Sequence, residues 1–205
     1  MKTALTAFAA IILITTFQSA SAQAPTSNPS SQAFYNPATQ APHPRETIQQ
    51  GVKLLQAFIT SDAMANPAQV RVFMEKEVAQ FFDFNAMAHL VLGPLNYRIN
   101  SQQRQGATAM IKKAFLTAFA ANLSDYRGGK VKYLNISGNL NQGKVYVRLA
   151  IQLPNQYPSL VKLRFARGPN GWKIIDVSAN GMSAVAHYRN YVRSVVQRSG
   201  LEALQ

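Results

Sequence analysis

The hydrophobic pattern of this 205-residue chain changes its period once, and that change restricts the fold more than any other feature. Before Gly128 the apolar residues recur at helical spacing, whereas after Gly129 they alternate with polar residues. In the clearest alternation, the apolar residues Val145, Val147, Leu149, Ile151 and Leu153 alternate with other residues, among them Lys144, Tyr146, Arg148 and Gln152. Such a run is typical of a strand with one buried face. Helices followed by a sheet predict an α+β domain.

Four strand-like runs follow Gly129. They cover residues 131–136, 144–153, 160–165 and 172–177, and short connections rich in Gly, Pro and Asn separate them. Because short polar connections join strands that run in opposite directions, we predict an antiparallel meander of four strands.

Helical spacing predicts four helices before the sheet and one after it. The second begins at Asn66-Pro67, the third follows a capping Asp83, and the fourth begins at Ser101. The last helix runs from about Ser183 to Ser199 and presents one apolar stripe. We expect these helices to pack on one face of the sheet.

The N-terminus has the features of an export signal. Lys2 precedes an uncharged apolar run over residues 4–17, and small residues follow up to Ala22. The run is shorter than the ~20 residues of a membrane-spanning helix, so we predict a signal peptide at residues 1–22 rather than an anchor. A disordered, proline-rich leader is predicted at residues 23–44 and a folded domain at residues 45–205.

Charge and cysteine content restrict the possible partners. Loss of Lys2 with the signal lowers the formal net charge from +13 to +12, which favours anionic partners such as phospholipid headgroups, acidic membranes or acidic proteins. Export makes nucleic acid an improbable partner. The chain has no cysteine, so neither a disulfide framework nor a lipidated cysteine is expected.

The residues that carry catalysis in enzymes are sparse. His43, His89 and His187 have no metal-ligand spacing, and there is no phosphate-binding loop. Ser183 stands in a Gly-Met-Ser-Ala-Val string that lacks the final glycine of a nucleophile elbow. We therefore interpret Ser183 as a helix cap and expect Asp176 to bond the backbone of the turn at residues 177–181. We predict no catalytic and no metal residues; a hydrolase using Ser183 and His187 is the alternative.

Two long strings resemble the MlaC family, also called the toluene-tolerance family. The first begins FFDFNAMAHLVLGPLNY and continues through SQQRQ to SDY, and the second is GWKIIDVSANGMSAVAHYRNYVRSVVQRSGLEALQ. The likeness extends from about Ile48 to Leu204. The positions that match the family motifs are Asp83, Phe84, Leu92, Gly93, Gln103, Arg104, Trp172, Asp176, Gly181, Ser183, Tyr188 and Arg189. His89 and the turn at residues 95–97 depart from the usual family pattern.

The resemblance implies a periplasmic phospholipid carrier. Such a protein moves lipid between an outer-membrane lipoprotein–porin complex and an inner-membrane ABC transporter with an MCE domain, and so maintains outer-membrane lipid asymmetry. Phospholipid is its cargo, and no cofactor is expected. The predicted fold is thus a twisted, four-stranded antiparallel sheet with several helices on one face, NTF2-like, enclosing an apolar lipid pocket.

We predict that the lipid tails lie between the inner sheet face and the helices. The predicted contacts are Met87, Leu90, Val91, Phe115, Phe119, Val145, Val147, Leu149, Ile151, Val161, Leu163, Tyr188 and Val192. Periodicity does not distinguish a pocket from a solid core. The alternative function is therefore a basic periplasmic adaptor that binds acidic envelope components and has no lipid pocket.

Overall fold

The computed structural model describes residues 42–204, so the predicted signal peptide and nearly all of the predicted leader lie outside the described residues. The α-helices are α1 (Pro44–Ile59), α2 (Pro67–Phe73), α3 (Phe84–Leu92), α4 (Ser101–Ala121) and α5 (Ala184–Ser199). The strands are β1 (Lys130–Asn139), β2 (Lys144–Gln152), β3 (Ser159–Gly168), β4 (Gly171–Ala179) and β5 (Met182–Ser183). No helix within residues 42–204 is long and apolar enough to cross a membrane.

Side-chain caps determine where the helices begin. The side chain of Asn66 accepts from the backbone N–H groups that open α2, and Asp83 does the same for α3. Asn100 and Gln103 form a reciprocal capping box at the start of α4. Each cap satisfies N–H groups that have no partner within the helix. The predicted caps at Asn66, Asp83 and Ser183 are confirmed.

The second predicted helix is less regular than its apolar spacing indicates. After α2 the chain forms a π-helical turn at Met74–Val78 and a 3₁₀ turn at Ala79–Phe81. The wider π turn brings both Met74 and Val78 into the core, where each is at most 3% exposed. Such insertions occur mostly as single turns inside helical segments.

The sheet is antiparallel, with its strands in sequence order from β1 to β5. The predicted four-strand meander is confirmed, and the short β5 adds a fifth strand. Asn180 and Gly181 form the connection between β4 and β5, and both have positive φ, at 49° and 86°. An Asn-Gly pair suits a two-residue hairpin because these residues tolerate this backbone region.

One face of the sheet is buried by the helices. In β2 the residues at alternate positions from Val145 to Ile151 are buried, whereas Lys144 and Arg148 are exposed. Helices α1, α3 and α5 pack against β4, and α4 packs against α3. Consequently β4 is buried along nearly its whole length, and the outer strand β1 is mostly exposed.

Candidate functional site

The layer between the sheet and the helices contains nearly all of the predicted lipid contacts. Leu90 is half-buried, and the other predicted contacts belong to the buried core. Leu149 is 0% exposed and lies between its cross-strand neighbours Tyr133 and Val161. The structure therefore brings the predicted residues together in one continuous apolar layer. Their contact with lipid remains a prediction.

Four phenylalanines form an aromatic cluster within this layer. The ring of Phe82 lies 4.9 Å from that of Phe115 and 5.5 Å from that of Phe84, measured between centroids. Phe84 and Phe119 approach Phe115 edge-on, at 5.8 and 6.3 Å. Such tilted pairs contribute about 0.5–1.5 kcal/mol each beyond the area they bury. The cluster holds α3 and α4 against each other.

A cavity of about 30 Å³ lies between α1 and the aromatic cluster. The residues around it are Thr47, Ile48, Gly51, Val52, Leu54, Leu55, Val78, Phe81, Phe82, Phe119 and Ile174. Pockets for organic ligands usually enclose about 300–1,000 Å³, so this space is an order of magnitude smaller. Among the predicted lipid contacts, only Phe119 borders it.

Sequence reasoning missed the contribution of α1 to this cavity. The apolar stripe that includes Ile48, Val52 and Leu55 predicts a buried helix face, but it does not show what that face meets. Gly51 is the local indication of this cavity, because a glycine inside a helix leaves open the space that a side chain would fill. A Cβ atom at this position would lie 3.7 Å from the ring of Phe81, at ordinary contact distance.

Asp176 and Ser183 join the end of the sheet to the start of α5. The hydroxyl of Ser183 donates to Asp176 Oδ2 at 2.7 Å and accepts from the backbone N–H of Ala186 at 3.2 Å. Asp176 Oδ1 accepts from the backbone N–H of Val185 at 3.1 Å. The carboxylate thus binds the first turn of α5, and not the backbone of residues 177–181 as predicted. Its negative charge also suits a helix N-terminus.

Other family-motif positions also make structural contacts. The guanidinium of Arg189 on α5 donates to the carbonyl of Leu90 on α3 at 2.8 Å. Arg104 donates to the carbonyl of Asn96 at 2.9 Å, which fixes the turn before α4. The side chain of Gln103, besides its capping role, donates to the carbonyl of Leu201. These residues therefore hold elements around the apolar layer in place.

Ser183 and His187, the two residues of the alternative hydrolase, both make contacts within the described part of the chain. Ser183 has its hydroxyl engaged as a cap, and His187 meets Tyr188 edge-on at 5.1 Å between ring centroids. Burial raises the pKa of the Tyr188 hydroxyl from 10.0 to about 12. No group of His, Asp and Glu within residues 42–204 is arranged to hold a metal ion.

The family model described as MlaC protein matches residues 49–205. This chain belongs to the MlaC family. Among solved structures, it is similar to a phospholipid-binding protein from Ralstonia solanacearum that was determined in complex with a phospholipid. The two are 23% identical with a TM-score of 0.69, and the match covers 78% of this chain and 90% of the other. At this identity the likeness establishes a shared fold. A comparison with curated proteins finds no match.

Proposed function

We propose that this MlaC-family protein is a non-enzymatic carrier of phospholipid, with the acyl tails held between the sheet and the helices. The observation that carries this proposal is the continuous apolar layer, in a fold shared with a protein solved in complex with a phospholipid. Burying each CH₂ group of a tail contributes about 0.8 kcal/mol, so two tails supply enough affinity without covalent chemistry.

A lipid that enters beside α1 has to open the packing around the cavity described there. A cavity of about 30 Å³ holds no acyl chain, and the inner face of β2 and β3 is in direct contact with its neighbours. The cavity lies beside α1. At this place Gly51, which has no side chain, faces the ring of Phe81. We infer that α1 and the irregular segment at Met74–Phe81 move away from β4 when a lipid enters. Burial of the tails then offsets the packing between these elements that the movement breaks.

The place of this carrier in the cell is part of the proposal. The signal at residues 1–22 directs export to the periplasm, and the folded domain, whose first helix α1 begins at Pro44, binds lipid. The carrier exchanges phospholipid with an outer-membrane lipoprotein–porin complex and an inner-membrane MCE-domain ABC transporter. Family membership supports these assignments.

A second candidate function is the basic adaptor. The close packing of the layer favours it, because a solid core needs no lipid. The adaptor would bind acidic partners through exposed charge alone, and that binding would weaken as salt screens charges beyond about 10 Å at 0.1 M. Retention of lipid that does not change with salt would therefore favour the carrier.

Transfer of a fluorescent phospholipid between vesicles tests the carrier. Leu149→Trp places a larger ring at the centre of the layer, where it takes the space that tails would need. We expect this variant to fold, to lose about 1–3 kcal/mol of stability through overpacking, and to transfer little lipid. Transfer at the wild-type rate, together with unchanged stability, would refute this location of the pocket.

Val72→Trp is the matched control. Val72 lies on α2 and is 51% exposed, so the same ring is added outside the layer. We expect transfer and thermal stability close to those of the wild type. If Val72→Trp lost transfer as fully as Leu149→Trp, the effect would not report on the layer.

A further inference from the structure

The outer face of the sheet carries an excess of positive charge. Strands β1 to β4 contain one acidic residue, Asp176, whose carboxylate is engaged at the start of α5. The same strands contain the cations Lys130, Lys132, Lys144, Arg148, Lys162, Arg164, Arg167 and Lys173. Within residues 42–204, none of these cations forms an ion pair with a carboxylate. The ion pair found in this part of the chain joins Lys112 to Glu75.

Two of these cations stand directly opposite each other. Arg148 on β2 pairs in register with Lys162 on β3, and both are exposed on the face away from the helices. Like charges in this position destabilise a sheet. Arg148 donates to the neutral side chain of Asn135 at 2.9 Å, which does not offset its charge. The repulsion between these two cations destabilises the folded protein. An anionic surface bound to this face would relieve that repulsion.

An aromatic ring lies at the centre of this cationic face. The Lys162 ammonium is 5.5 Å from the ring centroid of Tyr146, and the Arg164 guanidinium carbon is 5.8 Å from it. These contacts position the cations without neutralising them, although Arg164 also lies opposite Asp176 on β4, which offsets part of its charge. We call the surface formed by the exposed Lys132, Lys144, Arg148 and Lys162 and the half-buried Tyr146 and Arg164 the basic face.

Two exposed side chains lie at the end of the sheet where β2 connects to β3. Leu160 pairs with Ala150 and lies two residues from Lys162, on the same side of β3, and it is 58% exposed. Tyr157, in the connection between β2 and β3, is 96% exposed. Cations beside an exposed aromatic and an exposed aliphatic side chain are typical of protein surfaces that rest on a bilayer.

We propose that the basic face, with Leu160 and Tyr157, docks this protein on a bilayer surface rich in anionic phospholipid headgroups. Flexible lysine stems suit a diffuse layer of headgroup charge, and the leucine and tyrosine enter the interface at the edge of the contact. The choice of a bilayer over an acidic protein rests partly on the proposed carrier function. Docking itself does not need the apolar layer to open.

Vesicle co-sedimentation tests the docking. The purified protein is mixed with vesicles of phosphatidylcholine alone or of phosphatidylcholine and phosphatidylglycerol in equal amounts. We expect binding to the anionic vesicles, weakening as salt rises, and little binding to the neutral ones. Replacing both Arg148 and Lys162 by Gln should weaken binding about 25-fold, at about fivefold for each cation.

The control variant replaces Lys113 and Arg193 by Gln, which removes the same charge from exposed positions on α4 and α5. We expect this variant to bind anionic vesicles within about twofold of the wild type, because the charges it removes lie away from the membrane contact. Equal losses in the two variants would mean that net charge alone drives binding, and would overturn the proposal. Binding to a polyglutamate peptide but not to anionic vesicles would also overturn it, in favour of an acidic protein partner.

Lipid retention separates this proposal from the carrier function. The Arg148→Gln, Lys162→Gln double variant should keep as much bound phospholipid as the wild type while losing vesicle binding. Leu149→Trp should show the reverse, because its change lies inside the apolar layer. Failure of the first result contradicts docking by the basic face, and failure of the second contradicts the carrier.

Discussion

The link between Asp176 and α5 gives a prediction whose size follows from its hydrogen bonds. Removing the carboxylate with Asp176→Ala leaves the N–H of Val185 and the hydroxyl of Ser183 without their partner. A hydrogen bond to a charged group contributes about 1.5–3 kcal/mol, and the favourable charge at the helix N-terminus adds about 0.3–1 kcal/mol. Because Asp176 is only partly buried, we expect a loss of about 2–3 kcal/mol in the free energy of unfolding.

Urea denaturation of the two single variants and the double variant measures this link. Ser183→Ala should cost about 1 kcal/mol as a lost helix cap. The two changes should not be additive, and the double variant should lose less than the sum, because the Ser183 hydroxyl donates to Asp176. A surface substitution usually changes the free energy of unfolding by no more than about 0.5 kcal/mol. An Asp176→Ala change of that size would refute the reasoning. If the protein were a hydrolase that uses Ser183, Ser183→Ala would in addition abolish an enzymatic activity.

Two further predictions concern the cavity and the buried tyrosine. Gly51→Ala should raise the free energy of unfolding by about 0.5–1 kcal/mol, because alanine favours the helix and its Cβ meets Phe81 at 3.7 Å without a clash; a lower thermal midpoint would contradict this. Stability should fall as pH rises from 10 towards 12, because the Tyr188 hydroxyl, with its pKa raised to about 12, stays protonated when the unfolded chain has ionised. Tyr188→Phe should remove part of that loss in alkaline denaturation, because burial also raises the pKa of the Tyr133 hydroxyl to about 12. An unchanged pH profile would count against the burial of the Tyr188 hydroxyl.

The sequence predicted the sheet well because burial of one face imposes a period of two. The alternation from Val145 to Ile151 is matched residue by residue by the buried and exposed positions of β2. The pattern is weaker where the structure buries less. Ile136 lies on the outer strand β1 and is 42% exposed, although it pairs with the buried Val147. Helix caps such as Asp83 were equally predictable, because capping depends on local geometry.

Other features could not be predicted because they depend on contacts between distant segments. β5 has two residues, too few for a periodicity. The π turn at Met74–Val78 arises where the segment must turn both of its apolar ends towards the core. The space beside Gly51 depends on how far α1 lies from Phe81, and hydrophobic spacing contains no such distance. The sequence therefore identified the apolar layer but not the cavity beside α1.

Native mass spectrometry of the protein purified without detergent tests the central claim most directly. If the layer between the sheet and the helices holds phospholipid tails, the spectrum should contain protein with bound phospholipid, and lipid extraction of the same sample should recover it. The bound fraction should not change when the salt concentration of the purification is raised. A protein that is empty throughout, and that takes up no lipid when incubated with phospholipid vesicles, would contradict the proposed carrier.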